Sequence, residues 1–346
     1  MKALVLKEYK ELEIQEIEKP SCDDSEVLIK IEACGICGSD VHGLDGSTGR
    51  RQPPMVMGHE ASGTIVEVGS KVNGFKLGER VTFDSTIYCG ECKYCSTGSI
   101  NLCENRRVIG VSCDEYKSQG AFAEYLALPP RVLYKFGENL DFEKACMVEP
   151  LSIAFHAAKI TDIELGDTVL VLGAGIIGQM VVQTLRLVGA GKVIVADLDD
   201  DRLAKACKHG ADIGINSGKQ NVVEEIEKIT EGNMVDVVIE AVGVDATINT
   251  GIDCLKKAGA MTIIGNISPT VNLPLQKVVT RELKIQGSCA SAGDYPACLT
   301  FLERGDIDVS DAISAVDTLE NGNSWFNRLY DKEAGLNKVI LKPNLG

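Results

Sequence analysis

Val169-Leu170-Val171-Leu172 runs directly into Gly173-Ala174-Gly175-Ile176-Ile177-Gly178, an apolar strand breaking into G-x-G-x-x-G at the start of a helical pattern. Each glycine has a mechanical reason in such a junction. Gly173 permits the tight turn, Gly175 lets the backbone approach a pyrophosphate, and Gly178 allows close packing of the helix. The helix N-terminus, with Ile176 and Ile177 in its first turn, presents oriented N–H groups to an anion. The next apolar strand ends in Asp197, nineteen residues beyond Gly178. There a carboxylate accepts hydrogen bonds from ribose hydroxyls and repels a 2′-phosphate, which favours NAD over NADP. Arg202 is the competing signal, since an arginine stacks on adenine or pairs with a 2′-phosphate.

Outward from this motif, apolar strands alternate with helical stretches from about 151 to 287: 168–172, 192–197, 235–240, 260–264 and 283–285. That alternation predicts a doubly wound parallel sheet. Val242 and Gly265, just past two of these strands, are expected to join the cofactor site. Upstream, residues 1–150 read as short β segments (26–33, 62–68, 80–83, 122–128) between glycine-rich turns. Downstream come helical stretches at 294–303 and 324–332, then a strand at 338–341 expected to return to the first half.

Among 346 residues, 45% are hydrophobic and 25% charged, and the net charge of −15 offers no broad positive face for nucleic acid or an anionic membrane. Gln179, Gln183, Arg186 and Lys192 interrupt the most apolar region, 168–196, so it does not read as a membrane span. The N-terminus enters strand-like alternation with no h-region, and a cytoplasmic location is expected. Thirteen cysteines without a secretion signal point to metal ligation and buried thiols rather than disulfides.

Cys89, Cys92, Cys95 and Cys103 form C-x2-C-x2-C-x7-C in a segment with little apolar material. Four thiolates at these spacings close a tetrahedral zinc site with no open position, hence a structural one. An iron–sulfur cluster fits worse, because the bacterial run wants x3-C-P and Cys103 is followed by Glu104. A second set is scattered: Cys37 within Gly35-Ile36-Cys37-Gly38-Ser39-Asp40-Val41-His42, then Gly58-His59-Glu60, then Glu149-Pro150.

With the nucleotide motif and the cysteine lobe, these segments resemble the zinc-containing medium-chain alcohol dehydrogenases, in the polyol (sorbitol or L-iditol) dehydrogenase branch. The resemblance implies an α/β protein. A mostly-β GroES-like catalytic domain spans 1–150 and carries the zinc sites; a Rossmann dinucleotide-binding domain spans 151–287; and 288–346 returns to the catalytic domain. It implies a catalytic zinc held by Cys37, His59 and Glu60, with Glu149 a direct ligand or bonded to the zinc water. It further implies a proton relay from Ser39 through the cofactor ribose to His42 near solvent, with Asp40 orienting a ligand imidazole. The expected reaction is reversible oxidation of a polyol, sugar alcohol or its phosphate by NAD, in a homodimer or homotetramer. An L-threonine 3-dehydrogenase-like activity on amino alcohols and a non-catalytic zinc and NAD(H) redox sensor are the alternatives. Ser288–Ser291 departs from the branch, where an Arg-Tyr pair commonly follows the glycine. Arg50-Arg51 reads as a solvated loop, with an anionic substrate group as the competing role. The remaining cysteines, Cys22, Cys34, Cys113, Cys146, Cys207, Cys254, Cys289 and Cys298, read as buried thiols.

Overall fold

The computed structural model describes residues 1–111 and 117–344. The chain parts into two compact units, Met1–Glu149 with Ala292–Gly346, and Pro150–Ser291.

The second unit is a six-stranded parallel sheet. Its spatial order is Ile213–Asn216, Lys192–Asp197, Thr168–Leu172, Val235–Glu240, Leu255–Ile263 and Lys284–Gly287. In chain order this is 3-2-1-4-5-6, the doubly wound dinucleotide-binding arrangement, with its switch point beside Thr168–Leu172. Val169, Leu170, Val171 and Leu172 are all buried. Successive strand residues point to opposite faces, so both faces of the sheet are covered, as a continuous apolar run requires. Ile213–Asn216 carries little signal in the sequence, because Ile213-Gly214-Ile215-Asn216 offers only two apolar side chains around a glycine. Leu255–Ile263 starts ahead of the apolar run at 260, since exposed Lys256 and Lys257 separate buried Leu255 from it.

The first unit is mostly β. Its main sheet runs Leu133–Lys135, Arg80–Phe83, Glu60–Val68, Val27–Gly35, Lys338–Lys342 and Ile313–Thr318, with Tyr125–Leu128 also paired to Val27–Gly35. A three-stranded sheet of Glu11–Glu16, Lys2–Glu8 and Met55–Val56 closes the same core, where Leu4, Leu6, Ile29, Ile31, Phe83 and Phe122 are fully buried. Two pairings bring distant residues together. Gly35 stands opposite Glu60 in one antiparallel ladder and opposite Ile340 in the next. Residues from three distant stretches therefore meet at one end of the central strands.

Burial corrects part of the cysteine reading. Cys34, Cys146, Cys254 and Cys298 are buried thiols, but Cys207 and Cys289 are exposed and Cys22 is half-buried. Cys207 lies on the polar helix Asp200–Lys208, which buries only Leu203 and Ala206. Cys113 lies outside the described residues. No helix among the described residues is long and apolar enough to cross a membrane.

Candidate metal and cofactor sites

The scattered set converges in the first unit. The ligand atoms of Cys37, His59 and Glu60 all lie within 4.8 Å of one another, with His59 and Glu60 buried. Local structure explains the placement. Val27–Gly35 ends two residues before Cys37, which N-caps the short helix Gly38–Gly43 and accepts from the Ser39 N–H at 3.4 Å. His59 and Glu60 sit where the neighbouring strand begins, behind Gly58 at φ +94°. A Cβ on Gly58 would meet the Cys34 sulfur and the Phe122 ring at 2.9 Å, so glycine is required there by both backbone and space.

Asp40 faces His59, its Oδ2 3.5 Å from Nδ1, which leaves Nε2 for the ligand set. Burial opposes ionisation of Asp40, but the His59 and Arg51 charges hold its carboxyl well below the usual range. His59 is likewise buried, yet Asp40 and Cys37 raise its affinity for a proton well above the ordinary value. The site favours positive charge, which suits a divalent cation bound by a thiolate, an imidazole and a carboxylate.

Lys338 is the residue that sequence reasoning missed. Its Nζ donates to Glu60 Oε2 at 2.5 Å and to the Ile36 carbonyl at 3.0 Å, with both charged side chains almost fully buried. A Cβ on Gly35 would meet Glu60 Oε2 at 2.5 Å and Lys338 Cδ at 3.4 Å, so the glycine opens the space the pair fills. No spacing signal links Glu60 to a lysine 278 residues away. Glu149 stands apart from the three close ligand atoms. It is buried and accepts from Ser85 Oγ at 3.2 Å, and burial chiefly pushes its carboxyl up to about 7.

Arg51 corrects the loop reading. It is 2% exposed and paired with Asp40, because the short helix and its following loop fold back over it; Arg50 is exposed. Ser39 Oγ lies 3.3 Å from the Cys37 sulfur, and His42, one turn further along the helix, is exposed.

Cys89, Cys92, Cys95 and Cys103 form the second ligand group, again within 4.8 Å. The Cys92–Cys95 and Cys89–Cys95 sulfurs are 3.5 and 3.9 Å apart. A tetrahedron with zinc–sulfur bonds of ~2.3 Å has edges of about 3.8 Å, so these spacings match a ZnS4 centre. N–H groups of Cys89 and Asn105 donate to the Cys103 sulfur at 3.2 and 3.3 Å. Such bonds stabilise a thiolate.

In the second unit, Gly173 adopts φ +96°, and a Cβ on Gly178 would run into the Gly173 carbonyl oxygen. Gly175 N-caps the helix Ile176–Leu187 without any side-chain cap, and a Cβ there would meet nothing within 4 Å. A helix N-terminus without a side-chain cap is the kind of end that can receive a pyrophosphate. Asp197 accepts from the Ala174 N–H at 2.6 Å and from the Asp199 N–H at 3.0 Å, tying the strand tip to the glycine loop. Val242 packs where a Gly173 Cβ would lie, and Gly265 approaches the Val242–Gly243 backbone too closely for any side chain. The loop is held by buried Glu240, which accepts from the Val242 and Gly243 N–H groups and from Thr247. Arg202 is half-buried and stands 4.0 Å from Asp199.

Comparison with known proteins covers both units. The family model for an alcohol dehydrogenase GroES-like domain matches residues 23–138, and that for a zinc-binding dehydrogenase matches 177–304. The sorbitol dehydrogenase of Bacillus subtilis (strain 168) is 33% identical over 350 residues, covering 99% of this chain and 98% of its own. The D-arabitol-phosphate dehydrogenase of Enterococcus avium is 32% identical over 341 residues, covering 97% and 95%. Among solved structures, a zinc-binding dehydrogenase of Sinorhizobium meliloti 1021 bound to NADP aligns with a TM-score of 0.91 at 32% identity over 99% of each chain.

Proposed function

The chain belongs to the zinc-type medium-chain alcohol dehydrogenases and is an oxidoreductase, and on that premise we propose that it oxidises a secondary hydroxyl of a polyol, sugar alcohol or its phosphate with NAD, reversibly. The observation that carries this reading is the meeting of thiolate, imidazole and carboxylate within 4.8 Å at Cys37, His59 and Glu60. When bound, zinc supplies Lewis acidity toward a hydroxyl oxygen and the nicotinamide ring supplies an acceptor for hydride. Cys37, His59 and Glu60 would hold the catalytic ion, while Cys89, Cys92, Cys95 and Cys103 would hold a structural one. Glu149, kept buried beside Ser85, would bond a zinc water or enter the ligand set as a fourth donor.

The chain's own groups move the proton. Ser39 Oγ, 3.3 Å from the Cys37 sulfur, stands beside the ligand set and would take the substrate's hydroxyl proton. His42, on the same short helix and exposed, would pass it to solvent. The glycine loop at Gly173, Gly175 and Gly178, with Ile176, Ile177, Val242 and Gly265, would seat the cofactor. We assign the catalytic domain to 1–150, the dinucleotide-binding domain to 151–287 and the returning segment to 288–346. We also propose a homodimer or homotetramer. The parallel sheet ends on Lys284–Gly287, a largely exposed edge strand of the kind that pairs with another copy. A monomer in sedimentation at working concentration would sink this part.

The direct test is NAD reduction by the zinc-loaded protein over polyols, polyol phosphates and amino alcohols, with NADP as control. Turnover confined to amino alcohols, or none, defeats the polyol reading. Cofactor choice has its own test. Asp197→Ser removes the charge facing a 2′-phosphate, and the kcat/KM ratio of NADP to NAD is expected to rise about tenfold, the effect of ~1.4 kcal/mol. An unchanged ratio would remove Asp197 as the determinant.

A further inference from the structure

Arg51 is a buried cation to which the ligand, cofactor and relay assignments above give no role. Its Nη2 donates to Asp40 Oδ1 at 2.7 Å and to Ser39 Oγ at 3.3 Å. Nε donates to the same carboxylate oxygen at 3.1 Å, and Nη1 to the Arg50 carbonyl at 3.2 Å. Asp40, also fully buried, turns Oδ2 toward His59 Nδ1 at 3.5 Å, and among the described residues neither atom has a hydrogen-bond partner. Space for the arginine is made by Gly43, where a Cβ would run into the Arg51 stem at Cγ. One guanidinium thus holds, at once, the carboxylate behind a ligand imidazole and the hydroxyl beside a ligand thiol.

We propose that Arg51 is a positioning residue that sets two groups together: the tilt of the His59 ring, through Asp40, and the direction of the Ser39 hydroxyl. The proposal rests on the alcohol dehydrogenase reading. A hydroxyl has one donor and two acceptor lone pairs. With Arg51 donating to one lone pair and its own hydrogen donated to the Cys37 sulfur at 3.3 Å, Ser39 keeps the other lone pair to receive a proton. The hydroxyl is thus held on two sides, by the guanidinium and by the thiol, with one lone pair left for the relay. A lysine cannot do this, because an ammonium is a point charge without the planar fork that spans two acceptors. Stability is a poor account of the arrangement, since a buried ion pair is often no better for the fold than apolar residues of the same volume.

The test uses the zinc-loaded and the cobalt-substituted protein with Arg51→Lys and Gly43→Ala. Arg51→Lys keeps the charge and removes the fork. It is expected to lower kcat roughly 10- to 100-fold while KM for the cofactor stays within about twofold. The solvent deuterium isotope effect on kcat should rise, and the visible band of the cobalt form should shift. Gly43→Ala displaces only the arginine stem and should move the same readouts in the same direction by less. A folded Arg51→Lys protein with parental kcat, isotope effect and cobalt spectrum overturns the proposal. So does a fall in kcat matched, in both variants, by equal loss of bound metal or of folded protein. Should the parent oxidise no alcohol, the reaction reading fails on its own. The cobalt spectra still decide Arg51, and an unshifted band overturns it.

Discussion

Cys37→Ala is expected to abolish turnover while leaving the protein folded, with bound zinc falling from two ions per chain to one, since only one of the two ligand groups is broken. The loss should be at least about 10³-fold in kcat/KM, because Lewis-acid stabilisation of the reacting oxygen is worth several kcal/mol. The fold should persist because Cys37 is only half-buried and caps a helix of six residues, with two long sulfur contacts, from the Ser39 N–H and hydroxyl, to lose. The cysteine lobe is untouched, and its zinc should remain. Metal analysis, circular dichroism and steady-state kinetics on one preparation separate the outcomes. Retained activity with one zinc per chain would remove Cys37 from the catalytic set.

Lys338→Met should destabilise the fold more than any of the other substitutions proposed for this protein. Glu60 is 1% exposed and Lys338 3%, and the ammonium is the carboxylate's nearest counter-charge. Removing one partner of such a pair strands a buried charge and costs about 3–5 kcal/mol. The methionine fits the volume, so the cost is electrostatic rather than a cavity. The effect should be greatest in metal-stripped protein and smaller with zinc bound, because a divalent ion offers Glu60 a second counter-charge. Urea unfolding of both forms, with and without zinc, measures this. Equal destabilisation in the two forms would argue that Glu60 does not meet the metal, leaving Cys37 and His59 to hold it with Glu149.

How much of the molecule is legible in the chain depends on how local each signal is. The strand 168–172, the glycine loop and Asp197 fall within thirty residues, and short-range sterics fix their arrangement: a turn only glycine can make, a helix packed where only glycine fits. The cysteine lobe is equally local, since metal-ligand spacing within fifteen residues is set by chain geometry. Cys37, His59 and Glu60 are joined in the sequence by resemblance; no spacing rule connects them.

Arg51 and Lys338 show where the sequence falls silent. Both are charged residues, Arg51 in a polar loop and Lys338 at the first position of a strand, and solvent exposure is the default for such residues. Arg51 is buried because Gly43 leaves room for its stem and Asp40 waits to meet its charge. Lys338 is buried because Lys338–Lys342 pairs beside Val27–Gly35, whose other neighbour begins at Glu60. The nucleotide fold, the two ligand sets and the class of chemistry can be read from the chain alone, because residue type and covalent spacing, with the resemblance they support, carry them. Which charges stand behind the ligands was settled by folding in three dimensions. A buried charge is tolerated only beside its partner, and partners are chosen by strand pairing rather than by position along the chain.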